Sequence, residues 1–119
     1  MKTIILIFAL AIGATSFAQQ PQTKYYENGQ VKMELTKVGD RVLQTMFYQS
    51  GEIKQVGTFH NGKPCGIWKT YDKTGDILSE GYYENGVKTG KWIVKADRKA
   101  TTYEINYVNG KRVEALALN

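Results

Sequence analysis

The sequence predicts an all-β fold: a single-layer antiparallel sheet made of β-hairpins that recur along the chain. Three features predict it. Turn signals of two residues punctuate the chain at Asn28-Gly29, Ser50-Gly51, Asn61-Gly62, Thr74-Gly75, Asn85-Gly86 and Asn109-Gly110. A shift of 24 residues superimposes much of the chain on itself. Between the turns, side chains alternate between two characters, as they do on the two faces of a strand.

The chain of 119 residues has a one-domain length, and its first 18 residues are expected to lie outside that domain. Met1-Lys2 is a short positive start, Ile4 to Ile12 is an unbroken apolar run, and Ser16-Phe17-Ala18 fits a small-x-small cleavage pattern. This is the layout of a secretory signal peptide, helical, in the membrane only transiently and cut after Ala18. The run is shorter than the roughly 20 residues that a spanning helix needs, and no Cys follows the cleavage point to carry a lipid anchor. The expected mature domain is 19–119, secreted or periplasmic. Without Lys2 it holds 15 basic and 11 acidic residues, a net charge of +4. Both signs are interleaved, which reads as a solvated surface. Such a surface can also attract anionic envelope material or an acidic protein; nucleic acid is not an expected partner for an exported chain.

The first unit is irregular. Tyr25 to Lys32 matches Phe47 to Lys54 at a shift of 22, and its second turn is Val38-Gly39-Asp40. The following strand carries Leu43 and Thr45 where later units, at a shift of 23, carry Gly66 and Trp68. From Phe47 to Gly110 the 24-residue period holds. Gly57 falls on Gly81, Phe59 on Tyr83 and then Tyr107, Gly66 on Gly90, and Trp68 on Trp92. Asn61-Gly62 falls on Asn85-Gly86 and then on Asn109-Gly110. In the last unit Ala100-Thr101 stands where a Gly-acid turn is expected. Atypical end units fit a stack whose ends are capped. About eight strands are expected.

Alternation places Ile53, Gln55, Gly57 and Phe59 on one face, joined across the Asn61-Gly62 turn by Gly66 and Trp68. The same rule adds Ile77, Gly81, Tyr83, Gly90 and Trp92, then Thr101, Tyr103, Ile105 and Tyr107. The opposite face carries Lys54, Thr58, Lys69, Glu80 and Lys91, with Ile67 and Leu78. A glycine inside a strand weakens it and so needs a reason. A cross-strand aromatic ring lying over the bare backbone supplies one, and Trp68 and Trp92 are the expected lids.

The unit Tyr/Phe-x-Asn-Gly-x-x-x-Gly-x-Trp, with a second Gly-x-Tyr/Phe arm, resembles MORN repeats. It is similar in particular to the variant found in bacterial proteins named after the YwqK antitoxin. The best copies are Gly57 to Trp68 and Gly81 to Trp92, and the likeness runs from about Tyr25 to Gly110. The resemblance implies a stack of β-hairpins used for contact with proteins or lipid surfaces, and the antitoxin name implies a partner toxin. Its shared residues turn and pack the chain, so they carry structure and no active site.

No constellation for catalysis, metal or cofactor binding is expected. His60 is the only histidine and sits where the other units hold Glu84 and Val108; a general base also needs partners. Cys65 is the only cysteine, so it staples nothing within the chain, and one His with one Cys lacks the ligands of a zinc site. Glu52, Asp76 and Glu84 recur beside turns, as solvated turn residues do. The chain lacks a phosphate loop or a nucleophile elbow. The remaining candidate is the aromatic row of Phe59, Trp68, Tyr83, Trp92 and Tyr107. It is expected either to pack over the glycines as core or to form a contact strip. The functional expectation is an exported, non-enzymatic interaction or scaffold protein with a protein partner. Alternatives are a glycan-binding module of the cell envelope and an antitoxin or immunity-type protein.

Overall fold

The computed structural model describes residues 21–96 and 101–118. The expected signal-peptide helix lies outside them. The described residues form nine strands, one more than the sequence suggests. These are β1 (Gln22–Tyr25), β2 (Val31–Val38), β3 (Arg41–Phe47), β4 (Ile53–His60), β5 (Lys63–Tyr71), β6 (Ile77–Glu84), β7 (Val87–Lys95), β8 (Thr102–Val108) and β9 (Lys111–Ala117). They make one antiparallel sheet in the order of the chain, β1 to β9, each strand paired with its neighbours in sequence.

Two kinds of turn recur, one at each end of the strands; the Gly39-Asp40 turn of the first unit, with positive φ at the glycine alone, belongs to neither. Asn61-Gly62, Asn85-Gly86 and Asn109-Gly110 have positive φ at both residues, with φ of 50–53° at the asparagines. That is the backbone of a type I′ hairpin, whose twist suits the flanking strands. At the other end only the glycine has positive φ, at Gly29, Gly51 and Gly75. There Gly29 N–H donates to the Tyr26 carbonyl at 3.0 Å and Tyr26 N–H to the Gln30 carbonyl at 2.8 Å, a pattern repeated at Tyr48 to Glu52 and Asp72 to Asp76. This is a β-turn closed by a glycine bulge. Between β7 and β8, Ala96 N–H donates to the Thr101 carbonyl at 2.8 Å; 97–100 lie outside the described residues.

Neighbouring hairpins are tied at both ends. Gly86 N–H donates to the Pro64 carbonyl and Gly110 N–H to the Lys88 carbonyl, each at 3.0 Å. At the opposite end the Tyr26 hydroxyl donates to the Phe47 carbonyl at 2.7 Å, and the Tyr48 hydroxyl to the Tyr71 carbonyl at 2.6 Å. Asp72 occupies the next place in this series and turns inward instead. Its carboxylate accepts from Thr74 N–H at 2.9 Å and Asp76 N–H at 3.0 Å, as Asx-type turns do.

Candidate functional site

The four glycines of the repeat divide into two roles. A Cβ on Gly57 would lie 2.1 Å from the Trp68 ring, and one on Gly81 only 1.9 Å from the Trp92 ring. The sequence suggests Trp68 and Trp92 as lids without naming the glycines beneath them; Gly57 and Gly81 are those glycines. Gly66 and Gly90 are not covered in this way: nothing lies within 4 Å of a Cβ there, and φ is +72° and +71°. They belong to bulges. Between the pairs Val56↔Lys69 and Thr58↔Cys65, Gly57 alone faces three residues of β5, and Gly81 likewise faces three residues of β7. A bulge interrupts the ladder and turns the strand. The indole N–H meets the carbonyls beside it: Trp68 Nε1 donates to Thr58 and Trp92 Nε1 to Tyr82, both at 3.2 Å.

All five members of the aromatic row lie together on one face. Phe59–Trp68, Trp68–Tyr83, Tyr83–Trp92 and Trp92–Tyr107 are separated by 5.1, 5.8, 5.1 and 6.1 Å, each nearly edge to face. That geometry satisfies the ring quadrupoles. Trp68 and Trp92 are 8% and 5% exposed and are the only buried hydrophobic side chains among the described residues. Phe59, Tyr83 and Tyr107 are half-buried. Lys88 Nζ lies 4.8 Å from the Trp92 ring centre and 5.1 Å from that of Tyr107, a cation over two ring faces. Beside the row runs a polar line in which Gln44 donates to Gln55 at 3.3 Å and Gln55 to Thr70 at 3.4 Å. The row and the line border a groove of about 180 Å³, lined by Gln55, Trp68, Thr70, Ser79, Tyr83, Lys88 and Trp92.

The opposite face is wetter but not uniformly polar. Ile67 and Tyr82 pair across β5 and β6 and are 58% and 48% exposed. They flank a groove of about 310 Å³ also lined by Glu80, Lys91 and Ile93. Alternation locates Ile67 on this face. It does not reveal that the register of β5 and β6 sets it opposite Tyr82.

Two contacts escape sequence reasoning because they join residues about 20 positions apart. His60 Nε2 lies 3.0 Å from Asp40 Oδ2, and the Arg41 guanidinium donates to Cys65 Sγ at 3.1 Å. The hydrogen bond from His60, and then its charge, hold the Asp40 carboxyl below the ordinary aspartate value. Asp72 is likewise lowered, chiefly by the Thr74 hydroxyl. His60 and Cys65 therefore have separate partners. Among the described residues no group of three or more His, Cys, Asp or Glu side chains is arranged to hold a metal ion.

The family model described as the MORN repeat variant matches residues 21–36, 42–61 and 64–87. No curated protein and no solved structure matches the chain. The matched segments cover half of the sequence and fall on β1 to β6, including Gly57, Trp68 and Gly81. Beyond the match, β7, β8 and β9 continue the antiparallel order of the sheet, with Ile105 where the earlier units carry Gly57 and Gly81. The chain belongs to the MORN repeat variant family.

Proposed function

We propose that this chain is an exported, non-enzymatic scaffold that binds a protein partner through its repeat sheet. Repeats of this family commonly serve protein or membrane interaction. The observation that carries the reading here is the exposed cross-strand pair Ile67–Tyr82 beside its groove. An aliphatic and an aromatic side chain at the centre, with Glu80 and Lys91 at the rim, is the anatomy of an interface hot spot. The resemblance of the unit to antitoxin-type repeats would add a toxin as one class of such a partner.

The test is capture from a cell-envelope fraction with the mature protein and with Ile67→Glu and Tyr82→Glu. Both side chains are exposed, so both variants should fold. The partner should be retained by the parent protein and lost by each variant; equal capture by all three would remove this face from the interface.

The groove on the other face favours a second reading, an envelope glycan held by Gln55, Thr70, Ser79 and Lys88 against the edges of Trp68, Tyr83 and Trp92. Both tryptophans border that groove. A ligand there should change their fluorescence, and a spectrum indifferent to envelope glycans would sink this alternative.

A further inference from the structure

Among the described residues the nine-stranded sheet has two edge strands, β1 and β9, and they are not equivalent. β1 has four residues, a register shift at Lys24/Tyr25 and a preceding Pro21. Short length, a bulge, proline and lysine are the devices that protect an edge from pairing. β9 has seven residues, all exposed. Its lysine, arginine and register irregularity are confined to its beginning, where Tyr107 pairs with Arg112. From Val113 to Leu118 the only charge is Glu114. Val113, Leu116 and Leu118 are 60%, 47% and 52% exposed.

The hydrogen bonds define which backbone groups of β9 are free. Leu118 N–H donates to the Thr102 carbonyl at 2.8 Å. Along a strand, backbone polar groups alternate sides, so Leu118, Leu116 and Glu114 direct theirs at β8. Those of Ala115 and Ala117 point away from the sheet. Exposed edge groups of this kind find their partners in solvent or in another strand.

We propose that β9 pairs with β9 of a second copy of this chain, antiparallel and centred on Ala115. The strand count selects this arrangement. With nine strands in a meander, β1 and β9 run in the same direction. Translating one copy onto the next would bring β9 beside β1 in parallel, unlike every other pair in the sheet. A two-fold axis through β9 makes an antiparallel pair and closes the assembly at two. Centring on Ala115 sets Glu114 against Leu116 and Val113 against Ala117. Centring on Glu114 would oppose two carboxylates, which is unfavourable, and centring on Leu116 shortens the overlap. The result is a continuous sheet of two copies with both aromatic rows on the same side. It does not depend on the identity of any protein partner.

Ala115→Pro tests it directly. The variant removes an N–H that points away from β8, so the ladder within the monomer is kept; edge strands tolerate proline at such places. Sedimentation equilibrium of the protein should show mass rising from one chain towards two with concentration. Ala115→Pro should weaken association at least tenfold with an unchanged far-ultraviolet circular dichroism spectrum. In a Cys65→Ser background, Ala115→Cys should oxidise to a disulfide dimer. Hydrogen-bonded antiparallel partners sit about 5.5 Å apart at Cα, within disulfide reach. Gln22→Cys on β1 should not cross-link. A single-chain mass at every concentration would overturn the proposal and leave the edge to a foreign strand. A dimer indifferent to Ala115→Pro, cross-linking at Gln22→Cys alone, or unfolding of Ala115→Pro would overturn it as well.

Discussion

Replacing Gly81 by alanine adds one methyl group where the Trp92 ring already lies. The new Cβ would sit 1.9, 2.1 and 2.4 Å from three ring carbons, inside any permitted contact, so the indole must leave its seat. Full ejection would expose on the order of 150–250 Å² of ring. At about 25 cal/mol per Å² that amounts to roughly 4–6 kcal/mol, an upper bound, since unfolded chains bury part of this area too. A ring that only tilts would cost roughly 1–3 kcal/mol as overpacking, with a further loss of about 1 kcal/mol if the Trp92 bond to the Tyr82 carbonyl breaks. A destabilisation of about 3 kcal/mol is expected. Near 100 residues each kcal/mol shifts the midpoint by about 4–8 °C, so thermal unfolding followed by circular dichroism should move down by more than about 12 °C. Tryptophan emission should shift to the red. Gly66→Ala is the control. Nothing surrounds that position, and only its φ of +72° resists a side chain, at a cost of about 1–2 kcal/mol. If Gly81→Ala proves no worse than Gly66→Ala, the cradle is not what requires glycine, and the account of the repeat is refuted.

Asn85→Ala should cost about 1 kcal/mol in urea unfolding because alanine lacks the tolerance of asparagine for φ of 50°, while Asn85→Gly should be close to neutral. Tyr48→Phe removes the hydroxyl bond to the Tyr71 carbonyl and should lower stability by about 1 kcal/mol without altering the far-ultraviolet spectrum. The Asp40 carboxyl is held below its ordinary value by His60. Its contribution is therefore present above the unfolded aspartate value near 3.9 and is lost as pH falls through the lower folded value. Asp40→Asn should flatten that acid limb slightly, as befits an exposed pair, and an unchanged denaturant midpoint between pH 5 and pH 2 in both proteins would count against the contact. Ile67→Lys should leave stability within about 0.5 kcal/mol of the parent, since the side chain packs against little; a large loss would show that this face is core.

Much of the architecture is legible along the chain because each residue that makes it acts on near neighbours. The period emerges from turns two residues long and from rings placed one strand away from their glycines. Trp68 and Trp92 are recognisable as lids because they recur in phase with the strand glycines; that Gly57 and Gly81 are the ones covered comes from the structure. Gly66 and Gly90 look alike in sequence yet serve another purpose, since a bulge glycine and a cradle glycine are the same letter and differ only in φ. The same holds for the turns. Ser50-Gly51 and Asn61-Gly62 both announce a reversal, but only the register of the paired strands separates a glycine bulge from a type I′ turn. The candidate row was visible as five aromatics in phase; the covering of its two tryptophans was not, because it depends on how Tyr83, Lys88 and Tyr107 crowd the rings.

By itself the sequence determined that this chain turns back on itself every 11 to 13 residues, alternates its faces and repeats in hairpin pairs of 24. Those are consequences of backbone conformation and side-chain period, which are local. Only the tertiary structure decided that the described residues form nine strands with β1 and β9 at the edges of their sheet. It alone paired Asp40 with His60 and left Ile67, Tyr82 and β9 to solvent. These depend on register and on the bulges that shift it. A shift of a single residue exchanges one face for the other, and no local signal carries that choice.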